Sequence, residues 1–185
     1  MELGHVVAAQ HRCLQIQQAI AESVAGFDEE VPRRTVAHAG DLGGLDALTT
    51  AVSRLLRHAG ADVVTLHEPD GSLQAGAANR FAAELYVGLS ANTRSTLAYF
   101  ATTGFESTGG RRLAELCAEG MRDVLGADPA CEVLGMRLPV LRETRMPAVV
   151  CRIGPPEAVV ARTAEVAASL AGAVRRWVTA PVVDA

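Results

Sequence analysis

The sequence predicts an α/β domain with three layers, in which a mostly parallel, twisted sheet carries helices on both faces. Short apolar segments of strand length alternate along the chain with longer segments whose apolar residues recur at helical spacing. The chain has 185 residues, 49% hydrophobic and only 4% aromatic. This length and composition suit one domain whose core consists mainly of alanine, valine and leucine.

The N-terminal part of the chain predicts a helix over residues 5–27, followed by a charged linker that contains Pro32. The spacing gives two interpretations of this helix: it packs on the domain, or it is a surface for dimerisation or for a partner. The predicted organisation is therefore an N-terminal helix and linker at 1–33 and an α/β domain at 34–180. The apolar stripe of the helix consists of Cys13, Ile16, Ile20, Val24 and Phe27.

The first half of the domain predicts three strands separated by two helices. Gly60 follows the first helix at the position where glycine commonly ends helices. The predicted elements, in order, are a strand at 35–38, a glycine-rich loop at 39–44, a helix at 45–59, a strand at 61–66, a turn at 69–72, a helix at 75–83 and a strand at 84–90.

The second half predicts three more strands and two longer helices. Pro155 and Pro156 precede the last helix, where proline is tolerated in the first turn. The predicted elements are a strand at 96–102, a helix from 107 to Gly126, a strand at 132–137, a strand at 148–151 and a final helix. The inner face of that final helix is predicted to be Val160, Thr163, Val166, Leu170, Val174 and Trp177.

Residues 138–154 are the most informative stretch of the chain. A short apolar piece leads into a charged turn, which ends at Met146 and Pro147, and residues 148–151 then form a branched apolar run typical of a buried strand. Arg152 stands at the carboxyl end of this strand. Open α/β sheets place their functional groups at strand carboxyl ends. Arg152 is therefore a candidate functional residue.

Composition excludes several classes of function. A formal net charge of −4 argues against a general binder of nucleic acids or anionic membranes. The four cysteines form no CxxC pair, and Cys117 and Cys151, within apolar runs, are predicted to be buried thiols. The first residues lack the features of a signal peptide, and no apolar run is long enough to span a bilayer. These features give the expectation of a cytoplasmic protein.

Several motifs, taken in order, resemble the catalytic domain of the zinc-dependent N-acetylmuramoyl-L-alanine amidases. These enzymes cut the bond between muramic acid and the peptide stem of peptidoglycan. The resemblance covers about residues 34–178. The chain also resembles some actinobacterial proteins that contain a degenerate amidase domain. Its anchors are Gly60-Ala61-Asp62-Val63 with Asp70 downstream, Ala78-Asn79-Arg80, residues 85–92 ending in Ser90-Ala91-Asn92, Ser107, Leu113-Ala114 and residues 140–150.

The resemblance implies a zinc ion held by two histidines and a glutamate, with a second glutamate as general base. The first histidine corresponds to Asp41, although His38 is close by. The ligand glutamate corresponds most nearly to Asp46, and the second histidine to Ser90. The base glutamate corresponds to Arg152.

None of these positions keeps the residue type that the resemblance implies. A serine hydroxyl is a poor zinc ligand, and an arginine repels a cation and cannot accept a proton. The expectation is therefore that no metal is bound and that Arg152 is not catalytic. Arg152 is predicted to point into the former metal cavity and to pair with Asp41 or Asp46 in place of the cation.

Further residues are assigned to the cleft or to a substitute site. His38, Asn92, Arg142 and Glu143 are predicted to line the cleft. A substitute metal site at His38 and His67, with Asp41 or Glu68 nearby, stays open as an alternative; the competing interpretation of His67 is a surface loop residue.

The sequence favours a non-catalytic domain that acts in bacterial cell-wall metabolism or its regulation, without a cofactor. Its expected partners are peptidoglycan or cell-wall synthesis proteins, and the N-terminal helix offers a route to a homo-oligomer. Whether the chain is an enzyme stays open, although the residues at the expected metal and base positions argue against it. The alternatives are an active amidase with a rearranged zinc site, a peptidoglycan-binding module that uses Asn92, Arg80 and Arg142, and another small-molecule enzyme in which Arg152 clamps an anion.

Overall fold

The computed structural model describes residues 35–39, 45–126 and 131–182. The predicted N-terminal helix, the linker and Asp41 lie outside these ranges. The strands are β1 (Thr35–Ala39), β2 (Asp62–Leu66), β3 (Leu85–Ala91), β4 (Thr96–Thr102), β5 (Phe105–Glu106), β6 (Glu132–Met136) and β7 (Ala148–Ile153). The helices are α1 (Asp46–His58), α2 (Gly71–Arg80), α3 (Thr108–Leu125), α4 (Pro139–Glu143), α5 (Pro156–Ala161) and α6 (Thr163–Thr179).

The described strands form one seven-stranded sheet in the order β2-β1-β3-β7-β4-β5, with β6 also paired to β4. Strands β2, β1, β3 and β7 are parallel to one another, whereas β4 is antiparallel to β7 and parallel to β6. The predicted α/β class, with a mostly parallel sheet, is confirmed. The reversal at β4 follows from chain length, because only residues 92–95 connect β3 to β4. A parallel crossover needs a dozen or more residues.

Helices cover both faces of the sheet, as predicted. On one face, α1, α3 and α6 pack on alternate residues of the central strands, including Val87, Leu89, Val149 and Cys151. On the other face, α2 and α4 pack on the residues between them, including Tyr86 and Val150. This alternation is the period of two that a strand imposes on its side chains. It fixes which face each functional residue occupies.

The larger core lies beneath α1, α3 and α6. The indole nitrogen of Trp177 in α6 donates a hydrogen bond of 3.0 Å to the carbonyl oxygen of Gly109 in α3. Cys117 and Cys151 are fully buried free thiols, which confirms that prediction. A hydrogen bond with Cys117 and burial raise the pKa of Cys151, so this thiol is unsuited to nucleophilic chemistry. Within the described residues, the helices are too short or too polar to cross a membrane.

The final helix differs from its prediction. It is interrupted at Arg162, whose backbone is not helical (φ −124°, ψ 32°), so α5 and α6 are separate helices. The break changes which residues face inward, and the predicted inner residue Val160 is 56% exposed. The remaining residues of the predicted face are buried as expected: Thr163, Val166, Leu170, Val174 and Trp177.

Helix α2 begins earlier than its apolar pattern indicates. The carboxylate of Asp70 accepts hydrogen bonds from the backbone nitrogens of Ser72 (2.8 Å) and Leu73 (3.0 Å). Capping of the free N–H groups at a helix start by an aspartate favours initiation at this point. Residues 139–143, predicted as an apolar piece and a turn, form α4 with Pro139 in its first turn.

A buried polar chain joins α2 to the sheet. The hydroxyl of Tyr86 donates to the side-chain oxygen of Gln74, and the side-chain nitrogen of Gln74 donates to the carbonyl oxygen of Glu68. Burial raises the pKa of Tyr86, which keeps its hydroxyl protonated as a donor. The chain satisfies two side chains that are shielded from water on this face of the sheet.

Asn79 at the end of α2 forms two hydrogen bonds with the segment that leads into β7. Its side-chain nitrogen donates to the carbonyl oxygen of Glu143 (2.8 Å), and its side-chain oxygen accepts from the backbone nitrogen of Arg145 (3.0 Å). Two of the quoted motifs, at 78–80 and at 140–150, are therefore in direct contact. The contact sets the position at which β7 starts.

Replacement of Asn79 by alanine is expected to lower the free energy of unfolding by about 1–3 kcal/mol, since two backbone groups lose a partner. The measurement is urea denaturation followed by circular dichroism. Arg80→Ala is the matched control, because Arg80 is exposed and adjacent. Equal stability of the two variants would contradict this role for Asn79.

Candidate functional site

Polar residues from three strands lie abreast near the carboxyl end of β7. Arg152 is in register with Ser90 of β3 on one side and with Thr96 of β4 on the other. Residues in register share a face of the sheet, and Arg152 is on the same face as Val150, which packs in the core with α2 and α4. Arg152 and Ser90 are both half-buried. The structure therefore brings together two of the positions that were predicted to belong to one site.

The connection between β3 and β4 is hydrogen-bonded to the residues at the end of β7. The buried hydroxyl of Ser95 donates to the carbonyl oxygen of Gly154 (2.9 Å) and accepts from the nitrogen of the same residue (3.3 Å). The backbone nitrogen of Asn92 donates to the carbonyl oxygen of Ile153 (2.8 Å). The backbone on both sides of Arg152 is thus held in place.

Close contact at this point requires a glycine. A Cβ atom on Gly154 would lie 1.7 Å from the carbonyl oxygen of Asn92, so any residue with a side chain would overlap this backbone atom. Neither Ser95 nor this contact was identified from the sequence. The only sequence signal was the glycine after Ile153, and nothing in the sequence pairs that glycine with Ser95.

Asp46, another predicted metal position, is not part of this row of strand residues. Asp46 lies in the first turn of α1 and is exposed. Within the described part of the chain, Arg152 makes no ion pair with Asp46 or with another carboxylate. Asp41 lies outside the described residues, so the predicted pairing of Arg152 with Asp41 stays a prediction. His38 is in register with Val87 and Thr65 in the neighbouring strands.

The substitute metal site is not tested by the structure. His67 is exposed after β2, and the carboxylate of Glu68 accepts a hydrogen bond of 3.2 Å from the backbone nitrogen of Asp70. Among the described residues, no three His, Cys, Asp or Glu side chains are close enough to hold a metal ion. Asp41 is not among these residues, so the site at His38 and His67 also stays a prediction.

Arg142 and Glu143 occupy a different part of the molecule from Arg152. They form an ion pair of 2.6 Å in α4, and the Arg142 guanidinium holds the pKa of Glu143 below its usual value. Arg142 lines a pocket that includes Ala148, the first residue of β7. Four strand positions separate Ala148 from Arg152, about 13 Å at the usual rise per residue. The predicted cleft therefore divides into two sites, because β7 carries its two ends to opposite edges of the sheet.

The residues in register at the carboxyl edge define what the site can do. Two hydroxyls and one guanidinium supply hydrogen-bond donors and a fixed positive charge, which suit an anionic group. A guanidinium cannot take a proton from water, because it stays charged at any ordinary pH. The row of Ser90, Arg152 and Thr96 can bind and orient an anion, but it cannot supply a general base.

The fold is similar to that of solved amidases. N-acetylmuramoyl-L-alanine amidase AmiC2 of Nostoc punctiforme matches with a TM-score of 0.65 and 16% identity, over 80% of this chain and 99% of that chain. The N-acetylmuramoyl-L-alanine amidase from Clostridium difficile 630 matches with a TM-score of 0.64 and 15% identity, over 81% and 99%. The CwlD amidase from Clostridioides difficile, solved in complex with the GerS lipoprotein, matches with a TM-score of 0.60 and 13% identity, over 80% and 99%.

The sequence itself matches no protein-family model and no curated protein. At this level of identity the likeness shows the fold. The chain therefore has an amidase-like fold.

Replacement of Gly154 by alanine is expected to lower the free energy of unfolding by about 3 kcal/mol, since the new methyl group overlaps the backbone of Asn92. Gly172→Ala is the matched control. A Cβ atom there meets nothing within 4 Å, and alanine in a helix interior is favoured over glycine by about 0.5–1 kcal/mol. Urea denaturation of both variants measures the difference. A Gly154 variant as stable as the wild type would contradict the close contact.

Proposed function

We propose that this chain is a non-catalytic amidase-like domain that acts in bacterial cell-wall metabolism or in its regulation. The observation that carries the proposal is the placement of Arg152 in register with Ser90 at the carboxyl edge of the sheet. By the resemblance, these are the positions of the general base and of a metal-binding histidine. The exchange replaces a proton acceptor with a fixed cation and an imidazole with a hydroxyl.

Zinc does not fit the described residues of this site. Protein zinc sites are built from cysteine, histidine, aspartate and glutamate, and neither serine nor arginine supplies an equivalent donor. A guanidinium within a few ångströms of a divalent cation is also repelled by it. Asp46, the remaining described candidate, is exposed and belongs to no group of three or more possible metal ligands in the described part of the chain. No step of amide hydrolysis is therefore assigned to these residues.

A domain of this kind acts through what it binds. Its proposed partners are peptidoglycan or proteins of cell-wall synthesis, and its role is that of a regulator or a scaffold. The structure of the CwlD amidase with the GerS lipoprotein supports the idea that an amidase fold can serve as a protein-binding surface. That interaction belongs to CwlD, and for the present chain a protein partner is part of the proposal.

The alternative is an active N-acetylmuramoyl-L-alanine amidase whose zinc site is rearranged. The observation in its favour is the extent of the likeness, since 99% of the AmiC2 chain is covered and its scaffold is present almost entirely. His38 near the end of β1, His67 after β2, and Asp41 are the residues from which such a site would be built. It would hydrolyse the muramoyl–L-alanine bond with zinc as the cofactor.

The purified chain is expected to contain less than one equivalent of zinc and to release no stem peptides from peptidoglycan, because its described donor set does not fit the metal. Elemental analysis by mass spectrometry and a peptidoglycan-release assay measure the two quantities. The double variant Ser90→His with Arg152→Glu is expected to bind zinc more tightly than the wild type, and Arg54→Glu with Thr50→His on α1 is the matched control.

One equivalent of zinc in the wild type, together with release of stem peptides, would overturn the proposal in favour of the active amidase. Loss of that release in His38→Ala or His67→Ala would locate the rearranged site.

A further inference from the structure

One part of the sheet lacks a helical cover among the described residues. Helices α2 and α4 pack on the face that carries Tyr86 and Val150, but β4 and β6 continue beyond them. Leu134 in β6 is 42% exposed, and Phe105 in β5 is 49% exposed. We call this region the apolar patch; its members are the exposed Phe105 and Leu134 together with Phe100, Met136 and Met146, which are half-buried against the adjacent core.

The members of the apolar patch face the same side of the sheet. Phe100 is in register with Met136, and Leu134 is in register with Ala98, which belongs to the core under α2 and α4. The rings of Phe100 and Phe105 are in contact, with centroids 5.8 Å apart. Exposed apolar residues grouped on one face of a sheet commonly mark an interaction site.

A pocket of about 420 Å³ is situated beside the apolar patch. Phe100, Phe105 and Met146 form its apolar wall, and Arg142 and Arg145 stand at its rim. Pockets of this kind receive the large apolar side chains that supply most of the binding energy at protein interfaces. The pocket therefore specifies an apolar anchor on the ligand.

The rim of the patch is positively charged, although the whole chain carries a net charge of −4. Arg142 is paired with Glu143. Arg145 and Arg137 are exposed, and within the described residues neither has a carboxylate partner. Cationic side chains around an apolar floor favour a ligand with acidic residues, since complementary charge raises the association rate and excludes wrong partners.

We propose that the apolar patch and its arginine rim dock a peptide segment of a protein partner, one that places acidic residues beside a large apolar side chain. The apolar anchor would enter the pocket at Phe100 and Phe105, and the acidic residues would meet Arg145 and Arg137. The surface is separate from the row at Ser90 and Arg152, about 13 Å away along β7. The docking surface does not depend on whether the chain cleaves peptidoglycan.

The test is selection of the purified full chain against a phage-displayed library of random peptides. Enriched peptides are expected to combine aspartate or glutamate with leucine, phenylalanine or tryptophan. Synthetic copies should bind the wild type, as measured by fluorescence anisotropy. Arg145→Glu and Phe105→Ser are each expected to weaken binding by about tenfold or more, and the effect of Arg145→Glu should shrink at high salt.

Two matched controls carry the same substitutions elsewhere. Arg54→Glu reverses an exposed charge on α1, and Val160→Ser removes an exposed apolar side chain on α5. Both are expected to bind the selected peptides as the wild type does. Circular dichroism of all four variants checks that they are folded.

Three outcomes would overturn the proposal. The first is that no peptide is enriched, or that enriched peptides lack acidic residues. The second is that Arg145→Glu and Phe105→Ser bind as tightly as the wild type. The third is a dimer in sedimentation that Phe105→Ser abolishes, since a second copy would then occupy the surface. Zinc content and peptidoglycan release are measured independently, so failure here is distinguishable from failure of the proposed function.

Discussion

The hydrogen bonds between Ser95 and Gly154 hold together the two chain segments on which the sheet depends. One segment is the connection where the chain turns from β3 into the antiparallel β4, and the other is the end of the central strand β7. Both bonds are buried, so neither backbone group of Gly154 is left without a partner in a region shielded from water. The register of β3, β7 and β4 sets the positions of Ser90, Arg152 and Thr96 relative to one another, and these hydrogen bonds join the ends of the strands beside them.

Much of the fold could be predicted because its elements obey simple periodicities. The run at 148–151 indicated a buried strand because it has no polar residue, and β7 is the central strand that such a run requires. The direction of β4 could also have been inferred, since residues 92–95 are too few for a crossover. The break at Arg162 was not predictable, because the residues on both sides have ordinary helical propensity and only packing decides the interruption.

The candidate site was predicted in part. Ser90 and Arg152 come together because each lies near the carboxyl end of a parallel strand. The ends of strands can be predicted from the sequence, so this proximity could be predicted as well. Arg142 was assigned to the cleft as a side chain that could hold carboxylates or sugars, and Glu143 as a possible acceptor for Arg152. Both precede β7, whereas Arg152 lies near its other end, and an extended strand separates its ends by more than the length of any side chain. Ser95 was missed because its partner is 59 positions away in the sequence.

The arginine at position 152 imposes little strain on the fold. The residues before and after it, Cys151 and Ile153, are fully buried on the opposite face, whereas Arg152 remains partly in contact with water. A charge that keeps part of its hydration avoids most of the penalty of burial. Substitutions at this edge of the sheet therefore have little effect on the core beneath α1, α3 and α6, and the fold tolerates different residues there.

The position of β6 has a consequence for solubility. Among the described strands it pairs only with β4, so within the described residues its other side has no strand partner beside the exposed Leu134. Such an edge is a template for intermolecular strand pairing and aggregation. Glu132 at one end and Arg137 just past the other place opposite charges at the two limits of this short strand. Charged residues at the limits of an exposed strand oppose its pairing with a second copy, so these two side chains counteract the tendency of this edge to aggregate.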